Sequence, residues 1–137
     1  MTLTRIFRVM ALALVSSGVG CIFGSHVGTF APANSPNGVT ARLETSAGRV
    51  TAELLEVRDS GLVVLDNAKV TFVPYHSITD GSFNQLGVTI RNGQFQNAEK
   101  RNRARLVSRF PQGITPETER ELLGFYHQTS IIVLGAK

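Results

Sequence analysis

The 137-residue chain has one cysteine and no tryptophan. A lone thiol excludes an internal disulfide, so a leftover cysteine in an exported chain needs an explanation. Long apolar runs are missing as well. The Val9–Val15 run, VMALALV, is shorter than the ~20 residues of a comfortable membrane span, and Gly and Ser dilute the residues just beyond it. No Walker loop, G-x-S-x-G elbow or C-x-x-C pair occurs. Charge of one sign is scarce. With Arg5 and Arg8 set aside, 12 basic side chains face 10 acidic ones, a balance of +2. That is too mild to imply nucleic acid by itself.

The sequence does begin with an address. Arg5 and Arg8 precede VMALALV, and Ser16, Ser17, Gly18, Val19, Gly20 and Cys21 come after it. A basic start, an apolar core and a small-residue exit describe a secretory signal. The segment resembles a bacterial lipoprotein signal, with Gly20-Cys21 matching the end of the lipobox. The resemblance implies cleavage between Gly20 and Cys21 and lipidation of Cys21. Gly18 departs from the aliphatic residue usual in that family. Gly18 and Gly20 also suit an ordinary signal peptidase, and an uncleaved anchor is the third alternative. In that family an acid after the cysteine often retains the protein at the inner membrane, so Ile22 there implies, by the resemblance, the outer membrane. Residues 22–38 are punctuated by Gly, Ser, Pro and Asn without periodicity and read as a tether.

From Val39 the pattern is that of strands. Val39, Ala41 and Leu43 alternate with Thr40, Arg42 and Glu44. Turn signals at Ser46-Ala47-Gly48, Asp59-Ser60-Gly61 and Asp66-Asn67-Ala68 separate runs at 49–57, 61–65 and 69–73, and Pro74 ends the last. Short strands joined by tight turns predict a small antiparallel barrel or a strongly bent sheet. Residues 48–78 resemble the SH3-like and Sm-like small barrels in Gly48 before a long strand, the Asp59-Ser60-Gly61 turn, a strand ending at Leu65, and Val73-Pro74 with Ile78 shortly after. The Arg-Gly pair of Sm-like RNA binders does not carry over, because Ile90-Arg91-Asn92-Gly93 inserts Asn92 and reads as a turn.

The C-terminal part is helical in composition. A helix is expected near 95–109, with Leu106, Val107 and Phe110 meeting the sheet and the arginines facing water. Thr115 as N-cap and Pro116 at the first helical position predict a second helix over about 116–128. Leu122, Leu123, Phe125 and Tyr126 supply its apolar face. Ile131 to Leu134 reads as a last strand or a segment packed beneath the barrel. Leu106 to Gln128, with Ser108-Arg109-Phe110-Pro111-Gln112-Gly113, resembles a segment of uncharacterised bacterial envelope proteins and brings no activity with it.

The fold class expected is thus mainly β with α (α+β): signal 1–20, lipid-anchor Cys and tether 21–38, small SH3-like/Sm-like barrel 39–93, and a two-helix extension 94–137 packed on it. Candidate sites are sparse. His26, His76 and His127 show no metal-ligand spacing, and neither a metal nor a cofactor is expected. Tyr75-His76-Ser77 is the most chemically mixed tripeptide, yet neighbouring residues of a strand point to opposite faces. Lys100, Arg101, Arg103, Arg105 and Arg109 read either as a solvated helix face or as a contact for anionic headgroups or an acidic partner. The function expected is non-enzymatic: a lipid-anchored envelope module binding or scaffolding a protein or glycan. The alternatives are an Sm-like nucleic-acid-binding barrel held in the cytoplasm by an uncleaved N-terminus and a hydrolase using His76.

Overall fold

A computed structural model describes residues 30–32, 38–84 and 86–135. The expected signal, its cleavage site and Cys21 lie outside the described residues. Eight strands and two α-helices make up the described chain, which is the expected α+β class.

The first four strands obey the turn signals. They are β1 (Thr40–Thr45), β2 (Gly48–Val57), β3 (Gly61–Asp66) and β4 (Lys69–Pro74), each antiparallel to the one before. Between β3 and β4, Asn67 and Ala68 both sit at positive φ, 47° and 60°. That left-handed pair closes a two-residue hairpin in the sense that matches strand twist. Tyr75–Ser77 form one 3-10 turn, and β5 (Ile78–Phe83) then returns to pair with β1. Next come β6 (Thr89–Arg91) and β7 (Gln94–Phe95), folded back on each other through Asn92 and Gly93, both at positive φ. After helices α1 (Ala98–Val107) and α2 (Pro116–Phe125), β8 (Ile132–Val133) pairs parallel to β4. The sheet order is β7-β6-β5-β1-β2-β3-β4-β8. The sheet therefore draws strands from beyond residue 93. The Asn92-Gly93 turn fixes one of them, and Ile131–Leu134 holds the other.

Apolar side chains fill both faces of β2 to β4. One cluster contains Leu43, Leu54, Leu62, Val64, Val73, Ile78 and Ile90. The other, on the opposite face, contains Leu55, Val63, Leu65 and Val70 under Phe110, Leu122 and Leu123. This explains why Leu62-Val63-Val64-Leu65 is continuously apolar, since a strand covered on both sides has no solvent face to alternate with. At 0.8 kcal/mol or so per buried methylene, these two clusters carry most of the driving force for folding.

The helices differ from expectation in one respect. In α1 the side facing the sheet is marked by Ala104, which is fully buried, while Leu106 and Val107 are exposed at 53% and 41%. A small residue lets the helix approach β2 and β7 closely, and the two larger apolar residues turn away. Asn97 caps its start, accepting the Lys100 N–H at 2.8 Å. In α2, Thr115 accepts from the Thr118 N–H and Pro116 opens the helix, as expected. Its end is a Schellman turn. His127 occupies the left-handed position at φ 55°, with His127 N–H donating to Gly124 O and Gln128 N–H to Leu123 O.

Beyond that turn, the Gln128 amide extends the sheet. Its Oε1 accepts the Val70 N–H at 2.6 Å and its Nε2 donates to Val70 O at 3.1 Å. A side chain thus does for one residue of β4 what a strand does for the next two.

Candidate functional site

The site begins with a register shift in β2 between Leu54 and Glu56. A bulge of this kind turns the strand and frees backbone groups. Here Arg109 N–H donates to Leu54 O at 3.2 Å and Phe110 N–H to Leu55 O at 2.9 Å. The segment joining the helices is thereby stitched to the sheet. A cleft of about 420 Å³ opens beside the stitch, between the Glu56–Asp59 end of β2, Arg105 of α1 and the Phe110–Ile114 segment.

The cleft is polar and its charges are tied. Glu56, largely buried, accepts from Arg58 Nε at 2.7 Å through one oxygen and from the Ile114 N–H at 3.2 Å through the other. Arg58 Nη2 also lies 3.4 Å from Glu119 of α2. Gly113, at φ 91°, passes so close that a Cβ there would lie 3.2 Å from the Glu56 carboxylate. The Arg58 carbonyl accepts from the Tyr75 hydroxyl at 3.0 Å and from Arg101 Nη2 at 3.1 Å. Arg101 also reaches Asp59 Oδ1 at 2.7 Å. Arg105 Nη1 donates to Pro111 O at 2.9 Å. Burial raises the Tyr75 pKa above its ordinary value, and the neighbouring Arg101 guanidinium opposes that rise. The Arg101 pKa is itself raised, first by the hydrogen bond to Asp59.

The five basic residues singled out in the sequence do not form one surface. Arg109 is the largest departure. Its side chain is 4% exposed, Nε donates to Glu53 Oε1 at 2.8 Å, and Nη2 lies 2.6 Å from the same oxygen. Among the described residues neither Nη1 nor Nη2 has a hydrogen-bond partner of good geometry, so the Nη2 contact is an ion pair alone. Position decides this outcome, because Arg109 lies beyond the end of α1, where its backbone is already bound to β2. Arg101 and Arg105 are half-buried and committed to Asp59 and Pro111. Of the five, Lys100, Arg103 and Arg105 have no ion-pair partner among the described residues, and Arg105 bonds the neutral acceptors Pro111 O and Asn102 Oδ1 instead.

Tyr75-His76-Ser77 is a 3-10 turn instead of a strand. Ser77 is buried with its hydroxyl on Pro74 O at 2.7 Å, and His76 is exposed. Among the described residues, no group of three or more His, Cys, Asp or Glu side chains is placed to hold a metal ion. No described helix is long and apolar enough to cross a membrane. Sequence reasoning missed Glu56, Arg58, Asp59 and Gly113. A glutamate inside the apolar run Leu54-Leu55-Glu56-Val57 was the available signal.

A second aromatic site lies on α2. Phe30 packs on the α2 side of the sheet, its ring edge-on to Phe125 at 6.2 Å, and its carbonyl accepts the Tyr126 hydroxyl. Phe125 is in turn edge-on to Tyr126 at 4.9 Å and remains 49% exposed. No family model, curated protein or solved structure matches the chain.

Proposed function

We propose that this protein is a non-enzymatic module anchored in the bacterial envelope by a lipid on Cys21, where it binds or scaffolds another envelope component. The observation that carries the reading is the order of Arg5 and Arg8, VMALALV and Gly20-Cys21 ahead of the folded domain. A single cysteine consumed by acylation leaves no free thiol, and acyl chains hold a protein stably when more than one is attached. The cleft supports recognition over catalysis. Both Glu56 oxygens accept hydrogen bonds, and Arg58, Arg101 and Arg105 are each engaged. Such a balanced site suits a polar partner segment of low net charge.

We further read the five strands β5-β1-β2-β3-β4 as a bent SH3-like barrel. The support is the 3-10 turn at Tyr75–Ser77, which brings β5 back to β1 in the connectivity of such barrels. The test is the intact mass of the protein from its host's membrane fraction, together with cross-linking in cells. A chain beginning at acylated Cys21 and cross-linked to an envelope protein or glycan is the expected result. A full-length, unmodified chain in the soluble fraction overturns the reading and returns the nucleic-acid alternative, which salt-dependent binding of RNA or DNA then decides.

A further inference from the structure

We infer that the aromatic face around Phe30 and Phe125 is the surface by which the domain rests on its own membrane, its occupant being a lipid–water interface. The inference rests on the lipid-anchor reading and adds an orientation to it. Phe30 is seated on α2 by the Phe125 ring and the Tyr126 hydroxyl. The point of the domain nearest the anchor in sequence is therefore this corner of α2, ahead of β1. Cys21 precedes Phe30 by nine residues, a reach of at most about 30 Å. The face bearing Phe30 is thus the one held toward the bilayer.

Its chemistry fits that position. Phe125, 49% exposed, stands in the last turn of α2 between two aromatic neighbours. Phenylalanine, like Trp and Leu, is a residue type that the apolar face of an interfacial helix buries at the headgroup and acyl boundary. Ile131 belongs to the same cluster as Phe30, and Val133, two residues on in the edge strand β8 and so on the same side by strand alternation, is 46% exposed. Electrostatics plays little part. On α2 itself Glu117, Glu119 and Glu121 outnumber Arg120, which lies 3.8 Å from Glu117, while Lys100 and Arg103 belong to α1, which packs on β2 and β7. The contact therefore selects a neutral interface over an anionic one.

Because the chain lacks tryptophan, a single introduced indole reports its own environment. Acylated mature Phe125→Trp and Leu106→Trp variants beginning at Cys21, each with its acylation verified by mass, are incorporated into phosphatidylcholine–phosphatidylethanolamine vesicles containing lipids brominated near the glycerol. Interfacial side chains lie ~5–10 Å into the headgroup and acyl boundary, so Phe125→Trp quenching about threefold or more above that of Leu106→Trp is expected. Val133→Trp gives a second readout should Phe125→Trp unfold, and its quenching is also expected to exceed that of Leu106→Trp. Acylated protein with equal quenching at the two helices, or none at Phe125→Trp and Val133→Trp, overturns the orientation and leaves the anchor standing. Protein lacking the acyl groups overturns the anchor reading itself.

Discussion

Replacing Arg109 by alanine tests the fold at its most exposed assumption, that a member of a basic run lies in the interior. The guanidinium is nearly excluded from solvent and meets Glu53 through two nitrogens. Removing one partner of a buried ion pair costs about 3–5 kcal/mol, because the other charge keeps its desolvation penalty. A domain of this size is stable by roughly 5–15 kcal/mol, so the loss is a large fraction of the whole. At about 4–8 °C per kcal/mol, the midpoint falls by ~12 °C at least. Urea denaturation and thermal melting, each monitored by circular dichroism, measure it. Replacing both partners by apolar residues, Glu53→Leu with Arg109→Met, relieves both penalties, and the double variant is expected within about 1 kcal/mol of wild type or above it. Arg103→Ala, on the exposed side of α1, is the control, with an effect inside roughly 0.5 kcal/mol. An Arg109→Ala loss no larger than the control would refute the burial and with it the stitch between β2 and the Phe110–Ile114 segment.

Three further outcomes depend on single residues. His127 holds the left-handed position that ends α2, so His127→Gly is expected to raise stability by about 1 kcal/mol in denaturant melts. Ala68 occupies the second left-handed position of the β3–β4 hairpin, and Ala68→Gly is expected to gain about 0.5–1 kcal/mol, with a loss of stability counting against the turn geometry. Tyr75 titrates above its ordinary pKa because it is buried. A pKa raised by folding contributes stability that is complete below about pH 10 and is lost as pH rises through the folded value. Denaturation midpoints should therefore fall above pH 10, and the fall should be smaller in Tyr75→Phe.

The legible parts of the molecule were those whose signals are local. The strands β1 to β4 lie between turn residues that need no tertiary context, and α2 carries its own cap in Thr115 and Pro116. The strand β5 was illegible because one of its inward positions is Gly81. A Cβ there would meet the Leu43 side chain at 2.9 Å, so packing demands an absent side chain where periodicity looks for a large one. Leu106 and Val107 misled for the converse reason: α1 docks through Ala104, and close approach of backbones outweighed side-chain size. The cleft was illegible because Glu56 meets Ile114 and Arg58 meets Glu119 only once the chain has folded back. Arg109 was hidden among its neighbours in composition and distinguished from them only by its place beyond α1.

The Gln128 amide has a meaning for the protein in company. An edge strand is a template for another chain, and β4 would expose Val70 to one. With its Oε1 and Nε2 on that residue's N–H and carbonyl, Gln128 occupies the bonds that a neighbour's backbone would need. The two residues of β8 occupy the next. On the lipid anchor proposed above, the molecules would be confined to the plane of a membrane and meet more often than molecules free in solution. A sheet stoppered along this side by its own chain can be crowded there without zipping into its neighbours.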